Sequence, residues 1–406
     1  MRGIPASFLI YFFALIFFVE LISFFGIRKL VHVMFPKNRK FIIRFYVLIS
    51  ISIIGLLLYS FSNPELLRQS RNYTLFFIVI SATILNLFPK FVFSFMTILS
   101  YLVGKLAGRH SQMIVLSGSF LLSIGLLLVI SFGVLAGRYN IQVEKQNLYF
   151  QDLPEQLDGF KIVQISDIHL GSFGKNTKVI KETVQIIEQL QSDLMLFTGD
   201  IVNNFSDEME GFEPFLKQLS GKYGKYAILG NHDYGDYFNW PDSISKRQNL
   251  NLIKAGLTGT GFNLLQNQWV KISVKDTSFT LIGVENWGHR PFPQYANLEV
   301  AMKGVPRNSF KILMSHDPAH WRAKVIPQTD ISLTLSGHTH GGQFGLKIAG
   351  IEFSPIYLNE KNWGGLYQSG KQFLYVNRGL GTVGFTGRIE MRPEITLLTL
   401  YRAKNR

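Results

Sequence analysis

Apolar and polar positions follow two different textures along this chain. As far as residue 136, apolar residues run in long blocks. The block over residues 4–27 holds one charge, Glu20, the block over 45–62 holds none, and the block over 113–136 is again uncharged. A helix needs roughly 20 apolar residues to cross a bilayer. The first and last blocks therefore predict spanning helices, and the second a shorter one. The first is not read as a cleaved leader, because further apolar blocks follow and no small-residue cleavage site is evident.

The remaining block begins at Tyr73 and is interrupted by Pro89-Lys90. At ~1.5 Å per residue, a helix over 73–103 would be about 46 Å long, more than the ~30 Å of a hydrocarbon core. Lys90, Ser94, Thr97, Tyr101 and Lys105 recur at helical spacing in its second half. This predicts a helix kinked at Pro89, whose second half leaves the bilayer or lies along it; a simply tilted span is the alternative. Glu20 stands alone, with no proton-relay pattern, which favours a helix-packing role over an intramembrane functional one.

Past residue 136 the texture changes. Residues 137–159 are polar, with turn signals at Asp152 and Asp158. From Phe160 short β-type runs alternate with helical patterns: 161–165, 178–190, 194–198, 208–219 and 226–229. Strand-like runs then follow at 270–274, 279–284, 310–314, 331–335, 373–376 and 394–401. This is α/β patterning. The expected organisation is a membrane domain of about four helices over 1–137, a linker and lead-in strand over 138–159, and an α/β domain over 160–406.

Composition sharpens the division. The 406 residues carry a net charge of +14. Residues 1–150 hold 14 Lys/Arg against 3 Asp/Glu, and residues 151–406 hold 27 against 24. The basic excess thus flanks the apolar blocks, as at a membrane surface, and no nucleic-acid partner is expected for the near-neutral second half. There is no cysteine, which excludes a disulfide scaffold, an iron–sulfur centre and a thiol nucleophile.

Chemistry-bearing residues gather where the β-type runs end. Asp167 and His169 follow the first, and Gly199-Asp200 the second. Gly230-Asn231-His232-Asp233 follows the third. His316 and Gly337-His338-Thr339-His340 come after the runs at 310–314 and 331–335. In open α/β sheets the ligand crevice lies beyond the carboxyl ends of the strands. Each motif alone is weak, but five in order are a strong signal. Nitrogen and oxygen donors without thiolate suit borderline or hard divalent ions. The glycines ahead of Asp200, Asn231 and His338 let the backbone turn sharply.

This series resembles the calcineurin-like metallophosphoesterase family over about residues 160–400. His338 to Gln343 and Asn377-Arg378-Gly379-Leu380-Gly381 resemble its bacterial branch, some members of which carry N-terminal membrane helices. The resemblance implies an αββα sandwich, two mixed β-sheets flanked by helices, with two divalent ions (Mn, Fe or Zn). Asp167, His169, Asp200 and His340 would hold one ion, and Asp200, Asn231, His316 and His338 the other, with Asp200 bridging. His232 would face the phosphate and protonate the leaving oxygen. Asp233 is expected to orient His232 or cap a helix. Gln343 and Arg378 line the site or pair elsewhere. Trp287, His289 and Arg290 belong to a Gly/Pro-rich surface turn, and His320 is set aside because Pro318 disfavours a helix there.

The expected protein is a phosphohydrolase anchored in a bacterial inner membrane. Its substrate is a phosphoester, phosphodiester or pyrophosphate, with lipid-linked molecules within reach, attacked by a metal-bridging hydroxide. A transport or sensor protein with a regulatory phosphoesterase-like domain is the rival. The first loop, 28–44, holds six Lys/Arg and no acid, and Lys105 and Arg109 lie in the third. Arg2, Arg68, Arg71, Arg138 and Lys145 fall on the other side. Positive loops stay inside, so the α/β domain is expected outside the cytoplasm.

Overall fold

The computed structural model describes residues 6–63, 73–288, 292–349 and 351–403. Arg2, Arg68, Arg71, His289 and Arg290 lie outside the described residues. The chain divides into two units, residues 1–136 with the short segment 384–387, and residues 137–383 with 388–406.

The first unit is helical: α1 (Ala6–Met34), α2 (Arg39–Ser62) and α3 (Tyr73–Leu135). Each is long and apolar enough to cross a bilayer. Helical dihedrals continue through Pro89, so the backbone does not break where the sequence pattern placed a kink. It breaks at Gly108, with φ 85° and ψ 171°. A Cβ added at Gly104 would lie 3.0 Å from the Gln112 Cβ, although these positions would be about 12 Å apart on a straight helix. The Phe93 and Phe120 rings likewise meet at 6.2 Å. The element is therefore a hairpin of two helical limbs, and Gly108 supplies the left-handed φ at the reversal. The second half of the first limb stays in the bundle: Phe93 packs with Ile27, Leu30 and Leu116, and Ser94 Oγ donates to the Val19 carbonyl at 2.9 Å.

Large side chains face outward along these helices. Phe17, Leu48, Phe95 and Leu128 are 61%, 63%, 66% and 64% exposed. A surface of this kind calls for an apolar solvent or partner. Glu20 is not alone. Lys90 Nζ donates to both its carboxylate oxygens at 2.9 and 3.0 Å, and Asn86 Nδ2 donates at 3.0 Å.

The second unit is mixed α/β. Its strands are β1 (Gln142–Phe150), β2 (Phe160–Ile165), β3 (Leu194–Phe197), β4 (Lys225–Ala227), β5 (Asn263–Leu264), β6 (Gln268–Val274) and β7 (Thr277–Gly283). After them come β8 (Lys311–Met314), β9 (Leu333–Ser336), β10 (Leu346–Ile348), β11 (Ile351–Phe353), β12 (Gly365–Ser369), β13 (Gln372–Val376) and β14 (Glu394–Arg402). Among the described residues they form two six-stranded sheets, β1-β14-β2-β3-β4-β5 and β12-β13-β9-β8-β7-β6, and the small β10-β11 pair. Both large sheets are mixed: β2, β3, β4 and β5 run parallel, as do β7, β8, β9 and β13.

β3, β8 and β9 are buried at every position, the pattern of strands covered on both faces. Burial does not alternate along them for that reason. One core cluster joins Ile162, Leu196, Leu281, Ile312, Leu335 and Leu398 from both sheets. A second packs Val163, Met195 and Leu397 of the first sheet with Val184 and Ile187 of the helix Lys178–Leu190 and Ile253 of the helix Ser243–Gly259. A third packs Ile282, Leu313 and Val376 of the other sheet with Leu298, Trp321 and Val325. β1 is an integral edge strand, pairing in parallel with β14 over its whole length.

Candidate metal centre

The five motif-bearing strands β2, β3, β4, β8 and β9 all deliver their polar residues at their carboxyl ends. Asp167, His169, Asp200, His338 and His340 have φ between 45° and 74°. Non-glycine residues rarely adopt this left-handed region, and such strain concentrates at functional sites. The glycines beside them serve mostly close approach. Gly199 has φ +99°, as a sharp turn requires, but a Cβ there would also lie 2.5 Å from Gly230 N. At Gly337 a Cβ would fall 2.2 Å from Asp167 Oδ2. Crowding of ligand loops, more than turning, excludes side chains there.

The seven proposed donors converge. His169 Nε2 lies 3.1 Å from His340 Nε2 and 3.5 Å from Asp200 Oδ2. His340 Nε2 is 3.4 Å from Asp167 Oδ1. On the other side, His316 Nε2 is 3.2 Å from Asp200 Oδ2 and 2.9 Å from Asn231 Oδ1. His338 Nδ1 is 2.8 Å from the same Asn231 oxygen. Two atoms each ~2.1 Å from one ion lie roughly 3.0–3.4 Å apart at octahedral or tetrahedral angles. The donor spacing thus fits bound metal, and the groups Asp167/His169/His340 and Asp167/Asp200/His316 are each compact enough for an ion. Asp167 belongs to both groups, so it stands closer to the second than the sequence motif implied.

Electrostatics favour ligand forms at most positions. Burial pushes the His169 imidazole down to about 3 and lowers His338 and His340 as well, so these rings are neutral, as ligands must be. Burial pushes Asp200 up, but the charges of His316 and His232 outweigh it and hold its carboxyl well below the usual range. His316 is the counterpart: burial lowers it, and the Asp200 carboxylate overrides this, raising the ring to about 10. Burial raises Asp167 to about 6 against the charge of His316.

Surrounding groups fix the donors. His316 Nδ1 faces the Thr198 carbonyl at 2.8 Å, which leaves Nε2 for the centre. His232 Nδ1 faces the Asn203 carbonyl at 2.8 Å, and its backbone N–H donates to Asp200 Oδ1 at 2.8 Å. Asp233 neither orients His232 nor caps a helix. It accepts the backbone N–H groups of Asp200, Gly230, Ile201 and Val202 at 2.9, 2.9, 2.9 and 3.3 Å. A buried carboxylate satisfied by four amides braces the two ligand loops against each other. Glu208 does the same nearby, taking the N–H groups of Gly171, Asn203, Asn204 and Phe205.

The other candidates sort out individually. Arg378 pairs with carboxylates, Glu352 and, at 3.7 Å, Glu394. Gln343 Oε1 accepts from Val383 N at 2.6 Å. The Leu380 and Gly381 amides of the late glycine-rich loop brace the β2 end through the carbonyls of Ser166 and Asp167. His320 does lie in a helical segment, since Pro318 precedes that segment instead of interrupting it. Its ring is buried, bonded to Ser315 Oγ at 2.8 Å and stacked on Trp287 at 4.8 Å, and neither partner is a proposed donor.

Tyr237 belongs to no motif in the sequence. Its hydroxyl accepts from Asn231 Nδ2 at 2.7 Å, and its ring stacks on His232 with centroids 4.4 Å apart. With Phe292 and Asp236 it lines a cavity of about 210 Å³ that opens beside Asn231 and His338. Tyr237→Phe should keep the stacking but free the Asn231 amide, lowering affinity for one ion about 10–100-fold, the usual effect of losing an outer hydrogen bond. Metal titration of the purified protein checks this, with two unchanged affinities as the contrary result.

The Calcineurin-like phosphoesterase family profile matches residues 160–342. The chain is 34% identical over 252 residues to the uncharacterized metallophosphoesterase YkuE of Bacillus subtilis (strain 168), covering 61% of this chain and 81% of that one. It is 28% identical over 334 residues to a transmembrane protein with metallophosphoesterase domain of Danio rerio, covering 79% and 71%. It is also 28% identical over 243 residues to the phosphodiesterase YaeI of Escherichia coli (strain K12), covering 59% and 82%. With its motifs gathered at the facing strand ends and a 34% identical relative covered over 81% of its length, the chain belongs to the calcineurin-like metallophosphoesterase family.

Proposed function

We propose that this protein is a membrane-anchored phosphohydrolase that cleaves phosphoester, phosphodiester or pyrophosphate bonds at a centre for two divalent ions. The observation that carries the reading is the convergence of seven N and O donors from five strand ends beside His232. Asp167, His169, Asp200 and His340 would hold one ion, and Asn231, His316 and His338 the other, with Asp200 shared. Bound ions of this kind supply an activated water and a clamp for phosphoryl oxygens. The chain's own residues do the rest. The Asn203 carbonyl fixes the His232 ring through Nδ1, leaving Nε2 to hand a proton to the departing oxygen. Tyr237 stacks behind that ring and limits its tilt.

The outward apolar faces of the helices support anchoring in a bilayer, where phosphorylated lipids and lipid-linked phosphates are the substrates at hand. Full-length protein in detergent, screened with Mn, Zn, Mg and Fe against phosphomonoesters, phosphodiesters, nucleotide-sugar lipids and phospholipids, tests the activity. Metal-dependent turnover of at least one class is expected. None with any metal would favour the transport or sensor reading.

The bundle also supports a topology. Lys29 at the end of α1 bonds to Gln112, just past the Gly108 reversal. The basic residues of the α1–α2 turn and Lys105 and Arg109 therefore gather at one end, which the positive-inside rule places in the cytoplasm. By parity the chain after residue 136 emerges outside. Protease added to right-side-out cells should release a fragment beginning near residue 140, with β1 retained. Protection until the membrane is opened would put the catalytic unit in the cytoplasm.

A further inference from the structure

The ribbon β10–β11 of the α/β unit has two unlike faces. Leu346 and Phe353 stand opposite each other across it, so their side chains share a face. Ile348 joins them by the alternation of the strand. All three are exposed, Ile348 to 68%. The turn Pro355–Leu358 that follows adds the exposed Tyr357 and Leu358, the latter to 83%. The opposite face is charged. There Lys347 pairs with Glu352 at 3.0 Å, and Glu352 also binds the buried Arg378. The ribbon is thus inverted: its charged face holds it to its own domain, and its apolar face is turned outward. A ribbon facing water shows the reverse.

The chain itself ties this ribbon to the helices. Residues 384–387 belong to the helical unit. Within it, Thr386 Oγ1 meets Ser81 Oγ at 2.8 Å, and a Cβ on Gly387 would stand 3.1 Å from Val134 Cγ2. Val134 is at the end of α3 from which the chain leaves. Shortly beyond Gly387, the Ile389 carbonyl accepts the N–H of Gly345, the residue before β10, at 3.0 Å. An extended chain covers at most ~3.6 Å per residue and paired strands lie ~5 Å apart, so Leu346 is held within roughly 16 Å of Gly387. This tether is covalent and hydrogen-bonded, and it keeps the ribbon near helices whose own surfaces call for an apolar solvent.

We propose that the apolar face of the ribbon, with the turn after it, seats in the surface of the bilayer that the helices span. The partner is lipid, met by Leu346, Ile348, Phe353 and Leu358. Tyr357 lies at headgroup level, where rings with a polar tip concentrate. The inference rests on the membrane reading above. It bears on the metal centre because the ribbon grows out of a ligand loop. His340 lies just before it in the chain, and Ser354 Oγ, at the end of β11, is 2.8 Å from the carbonyls of both Gly341 and Phe344. A ribbon seated in the bilayer surface holds that loop beside the layer in which lipid phosphates lie.

The chain has no cysteine, so one introduced thiol carries a nitroxide at a single known place. Ile348→Cys and Leu358→Cys report on the ribbon and its turn, Phe95→Cys on the outward face of α3, and Lys371→Cys on water. Lys371 is exposed at the start of β13, which runs parallel to β9, so it stands at the end of the sheet away from the centre. Each full-length variant is placed in phosphatidylcholine nanodiscs. The label's collisions are measured with oxygen, which concentrates in lipid, and with a nickel chelate, which stays in water. Gel filtration identifies the variants that keep the fold. The oxygen-to-nickel ratio at 348 and 358 is expected severalfold above that at 371 and close to that at 95. Ribbon labels as aqueous as the one at 371, beside a lipid reading at 95, would overturn this proposal alone. Ribbon labels shielded from both reagents would assign the face to a protein contact, such as a second copy, and overturn it as well. An aqueous reading at 95 would overturn the membrane reading and this inference with it.

Discussion

Asp200→Asn should lower occupancy of both ion positions and bring hydrolysis to background. One carboxylate oxygen, Oδ2, faces both halves of the centre, 3.5 Å from His169 Nε2 and 3.2 Å from His316 Nε2. The other, Oδ1, receives the His232 backbone N–H. The group is an anion at neutral pH, because His316 and His232 outweigh the effect of burial on it. Asparagine preserves shape and keeps one acceptor oxygen, but removes the charge that would compensate the two proposed cations and would turn an N–H₂ toward one of them. Metal content of the purified full-length variant, measured beside its unfolding temperature, separates loss of ions from loss of fold. A folded, active Asp200→Asn with two tightly held ions would refute the shared position.

The centre is legible in sequence because its chemistry is local. Each motif sits within a few residues of a buried strand, so an apolar run followed by Asp, Asn or His marks both the strand and the site. What is not legible depends on partners distant in the chain. Glu20 and Lys90 are 70 residues apart and meet only when α1 packs on α3. β1 pairs with β14 from Gln142 opposite Glu394 to Phe150 opposite Arg402, so a polar segment that reads as a lead-in is an edge of the sheet. The interruption at Pro89-Lys90 reads as a kink that the helix does not make, whereas the stretch with Lys105 and Arg109 between the apolar blocks reads as a loop, and the reversal at Gly108 falls within it. Proline after an established turn is tolerated when the helix packs well around it, whereas a reversal demands a left-handed φ that glycine supplies most cheaply. Asp233 escapes the pattern for a related reason: three of its four donors come from the backbone of another loop, which no residue pattern reports.

His232→Ala should retain both ions and lose rate, by about 10²–10⁴-fold, the usual contribution of a positioned proton donor. The contacts of this residue differ from those of the proposed ligands. Its Nδ1 is engaged by the Asn203 carbonyl and its ring is sandwiched between Tyr237, stacked at 4.4 Å, and the edge of His169 at 4.9 Å. The backbone N–H that steadies Asp200 survives the substitution, so the centre keeps its shape. Proton donation matters in proportion to the basicity of the leaving oxygen. The loss should therefore be large for an alkyl phosphodiester and small for a p-nitrophenyl ester, whose leaving group departs without a proton. Rates for a leaving-group series on wild type and His232→Ala, with metal content measured on each sample, give the test. A loss equal across the series would assign His232 to ground-state positioning, and a loss accompanied by missing metal would place it among the ligands.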